Sequence, residues 1–229
     1  MKRAKTQNND DRLEGYRNEI KIPLDRQQFE AFLPSLNGLG IFQVTAFPDR
    51  HINSVYFDTT DFSDYNDNIS GIATRRKTRV RWYNNDLSRL TLEQKIKNNK
   101  ASRKELIRLS NPTKIYPGTA RGIRDILDAN DKVESRALLE TVRPVVEVEY
   151  NRNYFKLSPD LRMTIDRQQS FRRLYPSPLP HSVTSPVYAV VEFKYPSSDH
   201  YKVKAFLRDI PYRVFRHSKY VIGMDCTAL

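Results

Sequence analysis

Four short segments of this chain alternate charge with hydrocarbon, and that alternation limits what the chain can fold into. In KTRVRWY, Lys77, Arg79, Arg81 and Tyr83 fall on one side of an extended backbone while Val80 and Trp82 fall on the other. TLEQKIK sets Glu93, Lys95 and Lys97 against Leu92 and Ile96. YAVVEFKY sets Glu192 and Lys194 against Val191 and Phe193, and YRNEIKI sets Arg17, Glu19 and Lys21 against Ile20 and Ile22. One strand of this kind reads as the outer, solvated face of a sheet. Four with the same mixture of cations and a carboxylate favour a shared polar interior, because a barrel turns such faces toward one another.

Further β-branched and aromatic runs at Ile52–Asp58, Val145–Phe155 and Arg162–Asp166 join Tyr16–Ile22, Lys77–Tyr83, Leu90–Lys97 and Tyr188–Tyr195 as expected strands, so the fold is an antiparallel barrel or sandwich. Helical spacing is sparser. Asp25 is placed to cap a helix carrying Phe29, Phe32 and Leu33, with Pro34 expected to end it. Short helices are expected at Arg121–Ala129, Lys132–Glu140, Asp199–Asp209 and His217–Met224, and a proline-rich loop at Leu174–Pro186. Residues 1–14 are polar throughout and read as a flexible tail ahead of a single domain over 15–229. No apolar run approaches the ~20 residues of a membrane-spanning helix, and the one cysteine, Cys226, excludes an internal disulfide; a cytoplasmic location is expected.

A formal charge of +12 favours anionic partners. If the charged faces converge, like charges ~6 Å apart at an effective dielectric of ~20 repel by roughly 3 kcal/mol, so such an interior calls for an anion. Arg offers phosphate a planar, bidentate donor pair and Lys a point charge. Interspersed Glu is counterproductive for phosphate unless a divalent cation lies between. Nucleic acid is not the expected partner, because it calls for an exposed cationic face interleaved with aromatics, whereas here carboxylates share the faces. The four histidines have no metal-ligand spacing, and no glycine-rich phosphate loop or nucleophile elbow occurs. Tyr56, Tyr83 and Tyr150 could stack on a base, whereas Trp82 belongs to the core.

The ordered series YRNEIKI, SVYFDTTDFSDYNDNISG, TRVRWY, LEQK, RPVVEVEYNRNYF, MTIDRQQSFR, VVEFK and FRHSKYVIGM resembles the VTC domain, the catalytic domain of polyphosphate polymerase among the CYTH-like triphosphate tunnel metalloenzymes. The resemblance runs from about Tyr16 to Met224. It implies an α+β fold: a closed antiparallel β-barrel of about eight strands, with peripheral helices, holding ATP or another nucleoside triphosphate, polyphosphate, and divalent manganese or magnesium. It also implies transfer of the terminal phosphate of ATP to a growing polyphosphate chain, with a separate membrane protein as a conceivable partner. By motif, Lys21, Arg79, Arg81, Lys95, Arg152, Lys194 and Lys219 would bind phosphate, Arg79, Arg81, Lys95 and Glu192 would serve catalysis, and Glu192 would hold the metal. Arg103 or Lys104 could add a contact. Alternatives in the same cavity are triphosphate hydrolysis and binding without turnover. Glu147 and Glu149, opposite Arg152, read as outward ion-pair partners, with a bulge that turns one of them inward as the alternative. Asp166 reads as a second metal contact or as a partner of Arg162 or Arg167, and Asp58 as a cavity or turn residue.

Overall fold

A computed structural model describes residues 17–38, 43–98, 101–109, 115–128, 133–208 and 210–228. The tail expected over residues 1–14 lies outside them. Among the described residues nine strands make one sheet: β1 (Arg17–Leu24), β2 (Val44–Asp58), β3 (Thr74–Tyr83), β4 (Thr91–Asn98), β5 (Ala101–Arg108), β6 (Arg143–Lys156), β7 (Arg162–Arg173), β8 (Val183–Thr184) and β9 (Ala189–Pro196). Across the sheet the order is β1-β9-β7-β6-β2-β3-β4-β5, with the short β8 paired to β7, and every pairing is antiparallel.

The expected closure into a barrel is not found. Among the described residues β1 and β5 end the strand order without pairing to each other. One cause lies on the free edge of β1, where the Lys21 carbonyl accepts a hydrogen bond from the Phe215 amide at 3.0 Å, so the segment before the last helix occupies that edge. The sheet nevertheless curls far enough for β4, next to its far edge, to meet β1 through side chains, since Lys95 lies 3.5 Å from Glu19.

The apolar sides of the alternating strands form the convex core. Ile22, Val191 and Phe193 pack with Phe32 and Leu36 of α1 (Arg26–Gly38) and Val203 of α5 (His200–Arg208). Val80, Trp82 and Leu92 pack with Ile123 and Ile126 of α3 (Ala120–Asp128) and Leu139 of α4 (Val133–Glu140). Trp82 is thus a core residue, edge-on to Tyr116. Burial at roughly 25 cal/mol per Å² of apolar surface makes these two layers the main favourable contribution to folding. On the concave side, Tyr220 and Met224 of α6 (Lys219–Cys226) pack with Tyr56, Val146, Val148 and Phe171. That contact fixes the end of the concavity and holds the first turn of α6 against it.

Asp25 caps α1 as expected, its Oδ1 accepting from the Gln28 amide at 2.8 Å, with Gln28 Oε1 accepting from the Asp25 amide at 3.0 Å. Pro34 does not end the helix, which runs on to Gly38 because fully buried Leu36 anchors the last turn. The helix α2 (Ser63–Ser70) has no apolar periodicity and is held by Asp58, which accepts from the amides of Thr59, Asp64 and Tyr65 at 2.8–2.9 Å and from the Tyr220 hydroxyl. Asp58 is therefore a capping residue. The loop expected at Leu174–Pro186 contains β8, and among the described residues no helix is long and apolar enough to cross a membrane.

Candidate functional site

The charged sides of the strands converge on one cavity of about 230 Å³. Lys77, Arg79 and Arg81 reach it from β3, Glu93 and Lys95 from β4, Lys104 from β5, Glu19 and Lys21 from β1, and Glu192 and Lys194 from β9. Tyr56 comes from β2, Tyr150 and Arg152 from β6, and Ser218 and Lys219 from the start of α6. Among the described residues nine basic side chains therefore face three carboxylates. Lys21, Arg79, Arg81, Lys95, Arg152, Glu192, Lys194 and Lys219, the residues expected to bind phosphate, serve catalysis or hold a metal, are all in this lining, whereas Asp166 is not.

Each carboxylate near the cavity is engaged by cations. Glu93 accepts from Arg79 Nε at 2.7 Å and also from Nη2, with Lys104 Nζ at 3.5 Å and Arg81 Nη1 at 3.9 Å. Burial pushes the Glu93 carboxyl up, but Arg79, Arg81 and Lys104 outweigh it and hold the group well below the usual range. Tyrosine hydroxyls fix the same two arginines: Arg79 Nη1 donates to Tyr56 at 2.9 Å and Arg81 Nη2 to Tyr150 at 3.1 Å. The guanidiniums are held by their rear partners before any ligand arrives.

A second cluster centres on Asp166, which is fully buried on β7 behind the cavity wall. Arg152 donates Nε and Nη2 to it at 2.5 and 2.7 Å, and Lys219 donates Nζ at 2.5 Å. Burial pushes this carboxyl up, but Lys219 and Arg152 prevail and bring it down to about 2. Asp166 thus pairs across strands with Arg152, its register partner, and with Lys219, not with Arg162 or Arg167 as its neighbours in sequence implied. Glu147 is on the opposite face of β6, accepting from Arg172 at 2.9 Å, as an outward ion-pair partner.

Glu192 differs in having cations at ion-pair range without a close hydrogen bond: Arg152 Nη2 at 3.6 Å, Lys194 Nζ at 3.8 Å and Lys21 Nζ at 4.0 Å. Burial opposes its charge, but Lys194, Lys21 and Arg152 outweigh it and keep it ionised. Its cross-strand partner Thr164 has a buried hydroxyl with no hydrogen-bond partner among the described residues. An ionised carboxylate beside a spare hydroxyl is a hard-oxygen donor set suited to magnesium or manganese, which complete their shells with water and substrate phosphate. No group of three or more His, Cys, Asp or Glu able to hold a metal by itself occurs among the described residues, so a metal here would need ligand oxygens as well.

Lys77, Glu93, Ser218 and the hydroxyls of Tyr56 and Tyr150 were not marked as site residues. The first two stood on the right faces, two residues from Arg79 and Lys95. For Asp166 the missing information was the β6–β7 register. Lys104 is in the lining, while the side chain of Arg103 is outside the described residues.

The VTC domain family matches residues 8–228 of the chain. Among solved structures, the PH1819 protein from Pyrococcus horikoshii OT3 is similar at a TM-score of 0.52 and 11% identity, over 92% of this chain and 99% of that one. A candidate adenylate cyclase from Vibrio parahaemolyticus is similar at 0.51 and 13%, over 91% and 97%. Another from Bacillus halodurans gives 0.51 and 12%, over 89% and 93%. At such identities the likeness is one of fold. No curated protein gives a match.

Proposed function

The chain belongs to the VTC domain family, and from that premise we propose that it is a metal-dependent polyphosphate polymerase moving the terminal phosphate of ATP onto a polyphosphate chain. The observation that carries this reading is the lining of one cavity by nine basic side chains and three carboxylates. Those cations repel one another, and a triphosphate relieves that repulsion while accepting their hydrogen bonds. At about 230 Å³ the cavity is smaller than the ~300–1,000 Å³ of pockets that enclose drug-sized molecules, so it suits a phosphate chain with the nucleoside left outside.

In this reading Arg79 and Arg81 grip the terminal phosphates, with Glu93, Tyr56 and Tyr150 keeping them aimed. Arg152 and Lys219, steadied by Asp166, hold the neighbouring phosphate units. Lys21, Lys95 and Lys194 neutralise the remaining charge. Glu192, with Thr164 beside it, would hold a manganese or magnesium ion, which when bound supplies positive charge to phosphate oxygens. An oxygen of the acceptor chain bonds to the terminal phosphorus as its bond to the bridging oxygen breaks, and ADP leaves with that electron pair. The protein's part is positioning and charge stabilisation.

The test is incubation of the purified chain with ATP and manganese. A ladder of long polyphosphate on a gel is the expected product. Orthophosphate alone would make the cavity a triphosphatase, and saturable binding without turnover would make it a binding module.

A further inference from the structure

Six lysines line the cavity, and five of them have a carboxylate within 4.0 Å: Lys21 and Lys194 have Glu192, Lys95 has Glu19, Lys104 has Glu93 and Lys219 has Asp166. Lys77 is the exception. Its amine donates to the Ser218 hydroxyl at 2.8 Å and has no acidic partner within that range among the described residues. Its surroundings are cationic. Lys95 is its cross-strand partner on β4, where like charges directly opposite are unfavourable. Lys21 on β1 and Arg75 and Arg79 on its own strand also face it. Nearby acids are occupied elsewhere: Glu19 by Lys95, Glu93 by Arg79, and Asp64 of α2, packed on β3, by Arg76. The helix α6 offers Lys77 only the neutral hydroxyl of its capping residue, Ser218.

We propose that Lys77 is a further phosphate-binding residue that gains its positive charge together with the ligand: entering phosphate oxygens supply the counter-charge it lacks, and the amine takes up a proton from solvent as they bind. Burial, then Lys21, Lys95 and the two arginines, push the empty-cavity amine down to about 7. A phosphate beside it restores the amine toward its ordinary value near 10.4. Below about pH 7 the amine is charged with or without ligand, so it adds no pH dependence. Between there and about pH 10, binding consumes up to one proton at this residue, and its contribution to affinity falls by up to about tenfold per pH unit.

The inference rests on the cavity being a triphosphate site. The experiment is calorimetric titration of inorganic tripolyphosphate into the full chain near pH 8.5, where proton exchange by the ligand itself is common to wild type and variant and cancels in their difference. It is run in two buffers of different ionisation enthalpy, whose difference in heat counts protons. The wild type should take up about one proton more than K77R, whose guanidinium is charged throughout, and K77R should hold its affinity as pH rises where the wild type weakens. Should K77R fold poorly, K77M provides the same proton count without the cation. Equal proton uptake in wild type and variant, with binding intact, overturns the role of Lys77 alone. Absence of any saturable binding overturns the triphosphate reading and this inference together.

Discussion

Changing Asp166 to Asn removes one negative charge and little else, since the two side chains are nearly the same shape. In the native chain this carboxylate is fully buried and is the common acceptor of Arg152 and Lys219 at 2.5–2.7 Å. A carboxyl brought from its ordinary range down to about 2 contributes on the order of 2–3 kcal/mol at about 1.4 kcal/mol per pH unit. Because the folded-state value is the depressed one, that contribution is complete above about pH 4 and is lost as pH falls toward 2. The substitution goes further, leaving two largely buried cations without their anion, and breaking such a pair costs about 3–5 kcal/mol. Urea unfolding near pH 7 should show Asp166→Asn weaker than wild type by that amount. A pH series from about 5 to 2 should show the wild type losing stability on acidification, with this part of the loss missing in the variant. Stability within about 0.5 kcal/mol of wild type and an unchanged acid limb would refute the claim that Asp166 holds these two cations in place.

Other outcomes follow from the same geometry. Glu192→Gln should abolish metal-dependent turnover while preserving tripolyphosphate binding measured without metal; retained turnover would return Glu192 to a plain ion-pair role with Lys194. Arg81→Ala should cost about 1.5–3 kcal/mol of triphosphate affinity by calorimetry, because a charge-assisted donor pair is lost. Gly223→Ala should destabilise the fold by about 1–3 kcal/mol in thermal melts, since the added methyl would lie 2.9 Å from Phe171 and 3.3 Å from Val146 where α6 meets the sheet.

Alternation was the legible part of this chain. Period-two spacing places each side chain on one face or the other whatever the strand's neighbours, so Lys21, Arg79, Lys95 and Glu192 could be sorted before any pairing was known. Register is not local. That Asp166 meets Arg152 depends on a β6–β7 alignment with a bulge between Glu149 and Asn151, which no single strand encodes. Closure is not legible for a related reason: whether β5 reaches β1 depends on what else occupies the β1 edge, and the Phe215–Lys21 hydrogen bond spans nearly the whole sequence. The helix α2 escaped notice because its end is fixed by Asp58 and not by an apolar stripe. Pro34 misled because tertiary burial of Leu36 outweighs the local cost of a proline within a helix.

Whether the cationic cavity is a triphosphate site is decided by the thermal melt of the chain with tripolyphosphate and manganese. A ligand at about 100 times its dissociation constant stabilises the folded state by about 2.7 kcal/mol. For a chain of this size each kcal/mol raises the midpoint by about 2–4 °C. A triphosphate site gives a rise of about 5–10 °C in wild type, reduced in Arg81→Ala. A midpoint unmoved at millimolar ligand, or an equal rise in the variant, would contradict it.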